Sequence, residues 1–197
     1  MKTILFFGDS LTAGYMLSNP DEESFPALVG QKIAREGLGY KVINAGRSGD
    51  SSSDGLHRLD QWLSDPIDVF VLELGINDII RGYSPNSTRQ NLDEILNKVR
   101  QTFPTCKIVI LGMDAPDSIQ APRVYAASSE VEIQEFKSLF PDLARFHHAA
   151  LVPYFLQGVA GAPHLNLPDE LHPNSEGYQV IADHVWPFVK SVLSSKL

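Results

Sequence analysis

The sequence predicts an α/β fold built on a parallel sheet of five strands. Five short runs of β-branched and other apolar residues alternate with segments whose apolar residues recur at helical spacing. Several of the runs lack an apolar–polar alternation, which is typical of strands that helices cover on both faces. Strands and helices alternating in this way favour a doubly wound sheet with the strand order 2-1-3-4-5.

The predicted elements follow one another along the whole chain. The strands comprise residues 3–7, 41–44, 68–74, 107–111 and 150–153. The clearest helical stripe lies between residues 92 and 103 and stops at Pro104. We expect Pro141 to kink or break a helix over residues 131–146, the last helix to begin near Pro173, and Pro187 to bend it.

Length and composition set further bounds. The 197 residues suit one domain over residues 1–197, and 43% hydrophobic with 20% charged residues is ordinary for a globular protein. The net charge of -8 argues against nucleic acid and anionic membrane surfaces, which require basic patches. The single cysteine, Cys106, lies in an apolar run, so we expect a buried strand residue and not a nucleophile.

The first residues of the sequence carry no recognisable targeting signal. Only Lys2 precedes a short apolar run that leads directly into Gly8, whereas a signal peptide needs a longer apolar region and a cleavage site. No stretch approaches the roughly 18 apolar residues of a membrane span. We therefore expect a cytoplasmic protein, or a periplasmic or secreted one if a signal peptide preceded Met1.

Polar residues follow four of the predicted strands, at the point where each strand ends. They are Gly8-Asp9-Ser10, Gly46 to Asp50, Gly75 to Asp78 and, after a short further segment, Asp169 to His172. Ligands of open α/β sheets bind at the carboxyl ends of the strands. Because strands 1 and 3 would be neighbours, we expect Ser10 and Asn77 to lie together at this edge.

These residue types fit the chemistry of acyl transfer. A serine nucleophile needs a base, and histidine is the side chain whose ordinary pKa lies near neutrality, so His172 is the candidate for Ser10. Asp169 precedes His172 by three residues and can accept the imidazole Nδ1–H. An oxyanion needs donors, which Asn77 Nδ2 and the backbone N–H groups of Gly49 and Ser10 can supply.

Each feature also has a simpler explanation when it is taken alone. Ser10 and Asp9 are good helix N-caps, Asp169 and His172 could cap the start of a helix, and the glycine segment after strand 2 could be a plain turn. The shared placement of all four segments at one edge of the sheet favours catalysis.

The same four segments resemble, in order, the motifs of the GDSL lipase/esterase family, the SGNH hydrolases. The matching blocks are Gly8-Asp9-Ser10-Leu11, Gly49, Gly75-Ile76-Asn77-Asp78 and Asp169-Glu170-Leu171-His172. Within the family, the chain looks most like the bacterial thioesterase I/protease I/lysophospholipase L1 type, also described as arylesterases. Further blocks of that type are Asn44-Ala45, Ser48-Gly49-Asp50, Arg81-Gly82, 140–144 and 152–156.

The resemblance implies a flavodoxin-like, three-layer α/β/α hydrolase of esters and thioesters that uses no metal or cofactor. It makes Ser10 the nucleophile, Asp169 and His172 the rest of the triad, and Gly49 and Asn77, with Ser10, the oxyanion hole. Asp9 and Asp78 match positions of the family motifs that support the site structurally.

One segment departs from the relatives. The long connection from Met113 to Ser129 is predicted to be functional because it leaves the carboxyl end of strand 4. Residues 126–132 have no counterpart in that type. Because we expect the segment over residues 113–132 to border the acyl pocket, the acyl-chain preference of the family is not carried over to this chain.

Two other functions remain open. Relatives with the same blocks remove acetyl groups from sugars, so a carbohydrate O-acetyl esterase is one alternative. A non-catalytic flavodoxin-like binding protein is the other, since Ser10, Thr12 and Gly14 partly match a phosphate loop. The sequence has no Gly-x-Gly-x-x-Gly or Walker loop, no Gly-x-Ser-x-Gly elbow and no His-Glu-x-x-His motif.

Overall fold

The predicted sheet is confirmed: five parallel strands lie in the order β2-β1-β3-β4-β5. The computed structural model describes residues 1–113 and 129–194. The strands are β1 Lys2–Gly8, β2 Tyr40–Gly46, β3 Val69–Glu73, β4 Lys107–Leu111 and β5 Ala150–Val152. In the register of β1 and β3, Gly8 lies opposite Glu73, so the segments that follow these two strands leave the sheet side by side.

Helices form the two outer layers. They are α1 Ser10–Ala13, α2 Pro20–Glu23, α3 Phe25–Arg35, α4 Ser52–Arg58, α5 Ile76–Ile80, α6 Pro85–Thr102, α7 Glu130–Phe146 and α8 Ser175–Ser194, with short 3-10 turns at Leu59–Trp62 and Pro163–Leu165. The connection from β1 to β2 passes through α3 and runs toward the β2 edge of the sheet. The later connections, through α4, α6 and α7, run toward the β5 edge. Right-handed crossovers therefore place α3 on the opposite face, where α8 packs against it.

The core lies around β1, β3 and β4, whose apolar side chains are buried on both faces. The expectation of buried strands does not hold for β2 and β5, where only Ala45 and Val152 are buried. These two strands lie at the edges of the sheet, and an edge strand has a neighbour on only one side. Cys106 is buried as predicted but lies just before β4, and burial raises the pKa of its thiol to about 12.

The two prolines predicted to disturb helices lie inside continuous ones. Helix α7 runs through Pro141, so the predicted break is wrong, and α8 runs through Pro187. Phe136 and Leu143 are buried on either side of Pro141, so packing of one apolar face holds both halves in a single helix. Helix α8 begins at Ser175 because Asn174 Oδ1 accepts the Gly177 N–H at 3.0 Å, two residues after the predicted start.

The connection predicted to be functional, Met113 to Ser129, falls almost entirely on residues 114–128, which lie outside the described residues. Its far end is the start of α7, where Ser129 and Glu132 form a capping box. Within the described ranges no helix is both long and apolar enough to cross a membrane.

Candidate active site

Ser10, His172 and Asp169 form a continuous hydrogen-bonded chain. The Ser10 hydroxyl Oγ lies 2.9 Å from His172 Nε2, and His172 Nδ1 lies 2.7 Å from Asp169 Oδ2. A serine hydroxyl donating to Nε2 and a carboxylate accepting from Nδ1 fix one tautomer of a neutral imidazole. Residues separated by 162 positions in the sequence thus meet in the order serine, imidazole, carboxylate.

The local backbone holds Asp169 as an ionised acceptor. Partial burial opposes ionisation, but the backbone N–H and imidazole of His172 and the backbone N–H of Leu171 all donate to this carboxylate. Together they lower the pKa of Asp169 below its ordinary value. The backbone turns between Asp169 and His172, and Glu170 within this turn adopts the left-handed conformation, with a φ of 59°.

Ser10 begins the short helix α1 directly after β1. Asp9 caps this helix, since its Oδ1 accepts the Leu11 N–H at 3.0 Å, and Gly14 ends it in the left-handed conformation. Ser10 is largely buried, and its hydroxyl is held against His172 Nε2. A strand that stops at a glycine and turns at once into a capped helix explains why this hydroxyl is held at the edge of the sheet.

Asn77, on α5 after β3, joins the two loops beside Ser10. Its Nδ2 donates one hydrogen bond to Asp9 Oδ2 and one to the Asp50 carbonyl, both at 3.0 Å. Both hydrogens of this amide therefore already have acceptors. By contrast, the backbone N–H groups of Ser10 and Gly49 donate to no acceptor in the described part of the chain.

Gly49 lies at the tip of the loop after β2, with a φ of 85° that favours glycine. Its carbonyl accepts a hydrogen bond from Arg81 Nη2 at 2.7 Å, which fixes the loop against the end of α5. The structure thus brings together all the residues that the sequence proposed for the site.

A family model matches most of this chain. The model of the GDSL-like Lipase/Acylhydrolase family matches residues 6–180, which include every residue of the site. The chain belongs to this family of hydrolases. The resemblance stated from the motifs is therefore confirmed.

Several proteins similar to this GDSL-family chain carry the names of esterases or thioesterases. It is 34% identical to "Esterase TesA" of Pseudomonas aeruginosa, over 98% of this chain and 90% of the relative. It is also 34% identical to "Thioesterase 1/protease 1/lysophospholipase L1" of Escherichia coli K12, over 92% and 80%. The crystal structure of esterase EstA from Pseudoalteromonas, inhibited by monoethylphosphonate, superposes with a TM-score of 0.85 at 28% identity, covering 99% of this chain and 100% of that one.

Asp78 braces the site of this GDSL-family chain from behind. Its Oδ2 accepts the Ser52 N–H at 2.8 Å, and its Oδ1 accepts the hydroxyls of Ser52 at 2.5 Å and Thr88 at 3.1 Å. These bonds connect α5 to the starts of α4 and α6. A buried carboxylate with three donors stabilises this side of the site.

Arg58 and Glu73 are among the groups close to the site that the sequence interpretation missed. The Arg58 side chain, which is 8% exposed, pairs with Asp50 and donates to the Gly8 carbonyl at 2.9 Å, joining the end of β1 to the loop after β2. Glu73, the last residue of β3, is buried against Asp9 and Thr12. A charged residue inside an otherwise apolar strand was the available signal for Glu73, whereas Arg58 reads as an ordinary helical residue.

Proposed function

We propose that this chain is a serine hydrolase of carboxylic esters and thioesters, in which Ser10, His172 and Asp169 form the catalytic triad. The observation that carries the proposal is the unbroken hydrogen-bond chain, with 2.9 Å from Ser10 to His172 and 2.7 Å from His172 to Asp169. These are the distances at which a base can take a proton from a nucleophile while a third group orients it.

The first half of the reaction acylates the serine. Ser10 Oγ attacks the substrate carbonyl carbon while its proton passes to His172 Nε2, which gives a tetrahedral intermediate and an imidazolium. Asp169 stabilises this imidazolium through Nδ1. The C–O or C–S bond to the leaving group then breaks, His172 gives its proton to that alcohol or thiol, and the acyl group stays on Ser10.

The negative oxygen of the intermediate needs nearby donors. The Ser10 and Gly49 N–H groups, which have no acceptor among the described residues, are two of them. Asn77 is the third donor if it shares one Nδ2 hydrogen. The Asp50 carbonyl is the acceptor that gives way, because a neutral carbonyl holds a hydrogen bond less strongly than the Asp9 carboxylate, which is ionised above its pKa of about 7.

The second half releases the acid. Water gives a proton to His172 and attacks the acyl carbon, the same donors stabilise the second oxyanion, and the returning proton restores the Ser10 hydroxyl. The names of the esterase and thioesterase relatives support a small acyl ester or thioester as the substrate. The net charge of -8 argues against nucleic acid as a partner.

The test is hydrolysis of a p-nitrophenyl ester series from acetate to palmitate by the wild type and Ser10→Ala. We expect activity in the wild type and its loss in the variant. Ser138→Ala is the matched control, because this serine lies on the exposed side of α7. Full activity in Ser10→Ala would contradict the proposal.

Acetyl-xylan and a visible absorption spectrum extend the same experiment. Hydrolysis of acetyl-xylan alone, with no p-nitrophenyl ester cleaved, would indicate the carbohydrate O-acetyl esterase. A folded wild type that cleaves no ester and carries the absorption of a bound flavin would instead indicate the binding protein.

A further inference from the structure

Glu73 is a buried carboxyl group directly behind the nucleophile. It ends β3 in the centre of the sheet, and only 1% of its surface is exposed. Ionising a carboxyl group in such a place is costly unless hydrogen bonds compensate for the lost water. The triad and the oxyanion donors make no use of this group, so its presence requires another explanation.

The hydrogen bonds of Glu73 are unequally divided between its two oxygens. Oε2 accepts the Thr12 hydroxyl at 2.7 Å and the Asp9 N–H at 3.2 Å. Oε1 is buried and accepts a hydrogen bond from no described residue. One oxygen therefore behaves as a saturated carbonyl acceptor, and the other lacks a donor.

A proton on Oε1 resolves this imbalance. A protonated carboxylic acid has one acceptor oxygen and one O–H donor, which matches the pattern around Glu73. A hydrogen bond between the two side chains lowers the pKa of Asp9 and raises that of Glu73, which is the direction expected when Glu73 donates its proton and Asp9 accepts it. Two ionised carboxylates in contact would repel each other, and one shared proton converts that repulsion into a hydrogen bond.

We propose that Glu73 is a positioning residue of the catalytic centre that acts as a neutral acid, donating its proton to Asp9 and accepting from Thr12 and the Asp9 N–H. In this way it holds Asp9 from both its backbone and its side chain. The proposal rests on the proposed function, since it concerns how Ser10 and Asn77 are placed for acyl transfer.

Asp9 is the link from Glu73 to the reacting groups. It caps α1, which begins at Ser10, and its Oδ2 accepts from Asn77 Nδ2 at 3.0 Å. Glu73 thus sets the position of the residue that orients both the nucleophile and one proposed oxyanion donor. Gly8 makes room for it, because a Cβ at Gly8 would lie 2.5 Å from Glu73 Oε2.

The buried surroundings and the ionisable groups around Glu73 and Asp9 favour a proton on this pair of carboxyl groups. Burial is the main cause that raises the pKa of Glu73 well above its ordinary value, and the charge of Asp9 raises it further. The negative charge of Asp50 also raises the pKa of Asp9, although Arg58 pairs with that carboxylate. Tyr178, whose pKa is raised by burial and by the neighbouring carboxylates, faces the same region as a neutral phenol and lies 3.4 Å from the Ser10 carbonyl.

Two substitutions separate a neutral acid from a charged one. Glu73→Gln keeps one acceptor oxygen and one donor, so we expect kcat within about threefold of the wild type, because no hydrogen bond is lost. Glu73→Met has a similar length and neither function, so we expect kcat to fall by about tenfold to 100-fold with little change in KM. Glu22→Gln, on the exposed surface, is the control for the loss of one acid.

The protonation state can be observed without activity. We expect the infrared spectrum of the wild type at about pH 9, above the pKa of about 7 that burial gives Asp9, to contain the carbonyl stretch of a protonated carboxylic acid. This band should be absent in Glu73→Gln and unchanged in Glu22→Gln. A merely structural polar residue would not produce it.

The outcomes are distinct. A folded Glu73→Gln that loses activity as Glu73→Met does, or a wild type without the acid band, would overturn the proposal, as would full kcat in Glu73→Met. If Glu73→Met does not fold, the Glu73→Gln rate and the infrared band still decide. If Ser10→Ala retains activity, the proposed function fails, and the infrared band reports on Glu73 independently.

Discussion

The ring of Tyr15 lies against the imidazole of His172, with 4.5 Å between the ring centroids and 43° between the planes. Tyr15 follows Gly14, which ends α1 in the left-handed conformation, and it is 41% exposed. The tyrosine therefore covers one face of the imidazole while its other side faces solvent. This contact limits rotation of the ring, whose two nitrogens face Ser10 and Asp169.

Removal of this aromatic contact should slow the reaction. Aromatic pairs contribute about 0.5–1.5 kcal/mol beyond their buried area, so we expect Tyr15→Ala to lower kcat/KM by about twofold to tenfold. Tyr15→Phe keeps the ring and should retain most of the rate. Ester hydrolysis by the two variants is the measurement, and equal losses in both would assign the effect to the hydroxyl group.

Asp169 should act on turnover and not on folding. In Asp169→Asn the amide can no longer stabilise an imidazolium, so we expect kcat to fall by about 10²–10⁴-fold. The melting temperature should change little, because the side chain is partly exposed and the amide oxygen can still accept the Leu171 and His172 N–H groups. Glu176→Gln in the exposed first turn of α8 is the control, and unchanged turnover in Asp169→Asn would remove it from the triad.

Asn77 should affect the transition state more than substrate binding. One oxyanion donor typically contributes about 2.7–4 kcal/mol, so we expect Asn77→Ala to lower kcat by about 10²–10³-fold with a small change in KM. Steady-state kinetics measure both constants. Asn97→Ala, in the far half of α6, is the matched control, and a change in KM alone would exclude Asn77 from the oxyanion hole.

The contribution of Asp9 to the stability of the protein should fall as pH rises. Burial raises its pKa from about 3.8 to about 7, so between these values the folded protein holds a proton that the unfolded chain has released. The contribution of Asp9 to the free energy of unfolding therefore falls as pH rises through this range. Asp9→Asn does not titrate, so its melting temperature should improve relative to the wild type from about pH 4 to about pH 7.

Comparison with a surface aspartate makes this measurement specific. Asp21→Asn, on the exposed helix α2, is the control for the loss of one aspartate from the surface. A melting-temperature difference between Asp9→Asn and the wild type that does not change with pH would contradict a raised pKa for Asp9.

Much of the fold could be predicted because its signals are local. Apolar runs such as residues 107–111 predict buried strands, and their alternation with helices limits a parallel sheet to few topologies, so the strand order is confirmed. The prediction of a helix break failed at Pro141 inside α7, where packing overrides a local rule. The prediction of burial failed in the edge strands β2 and β5, because burial depends on the position of a strand in the sheet.

The sequence by itself determined the family, the sheet and which residues stand at the ends of its strands, because each of these is a matter of residue type and spacing along the chain. Only the tertiary structure decided the partners of those residues. It placed His172 2.9 Å from Ser10, Tyr15 against His172, Arg58 beside Asp50, and Glu73 against Asp9. Hydrogen bonds, burial and the pKa of a carboxyl group depend on distances in space, which spacing along the chain does not specify.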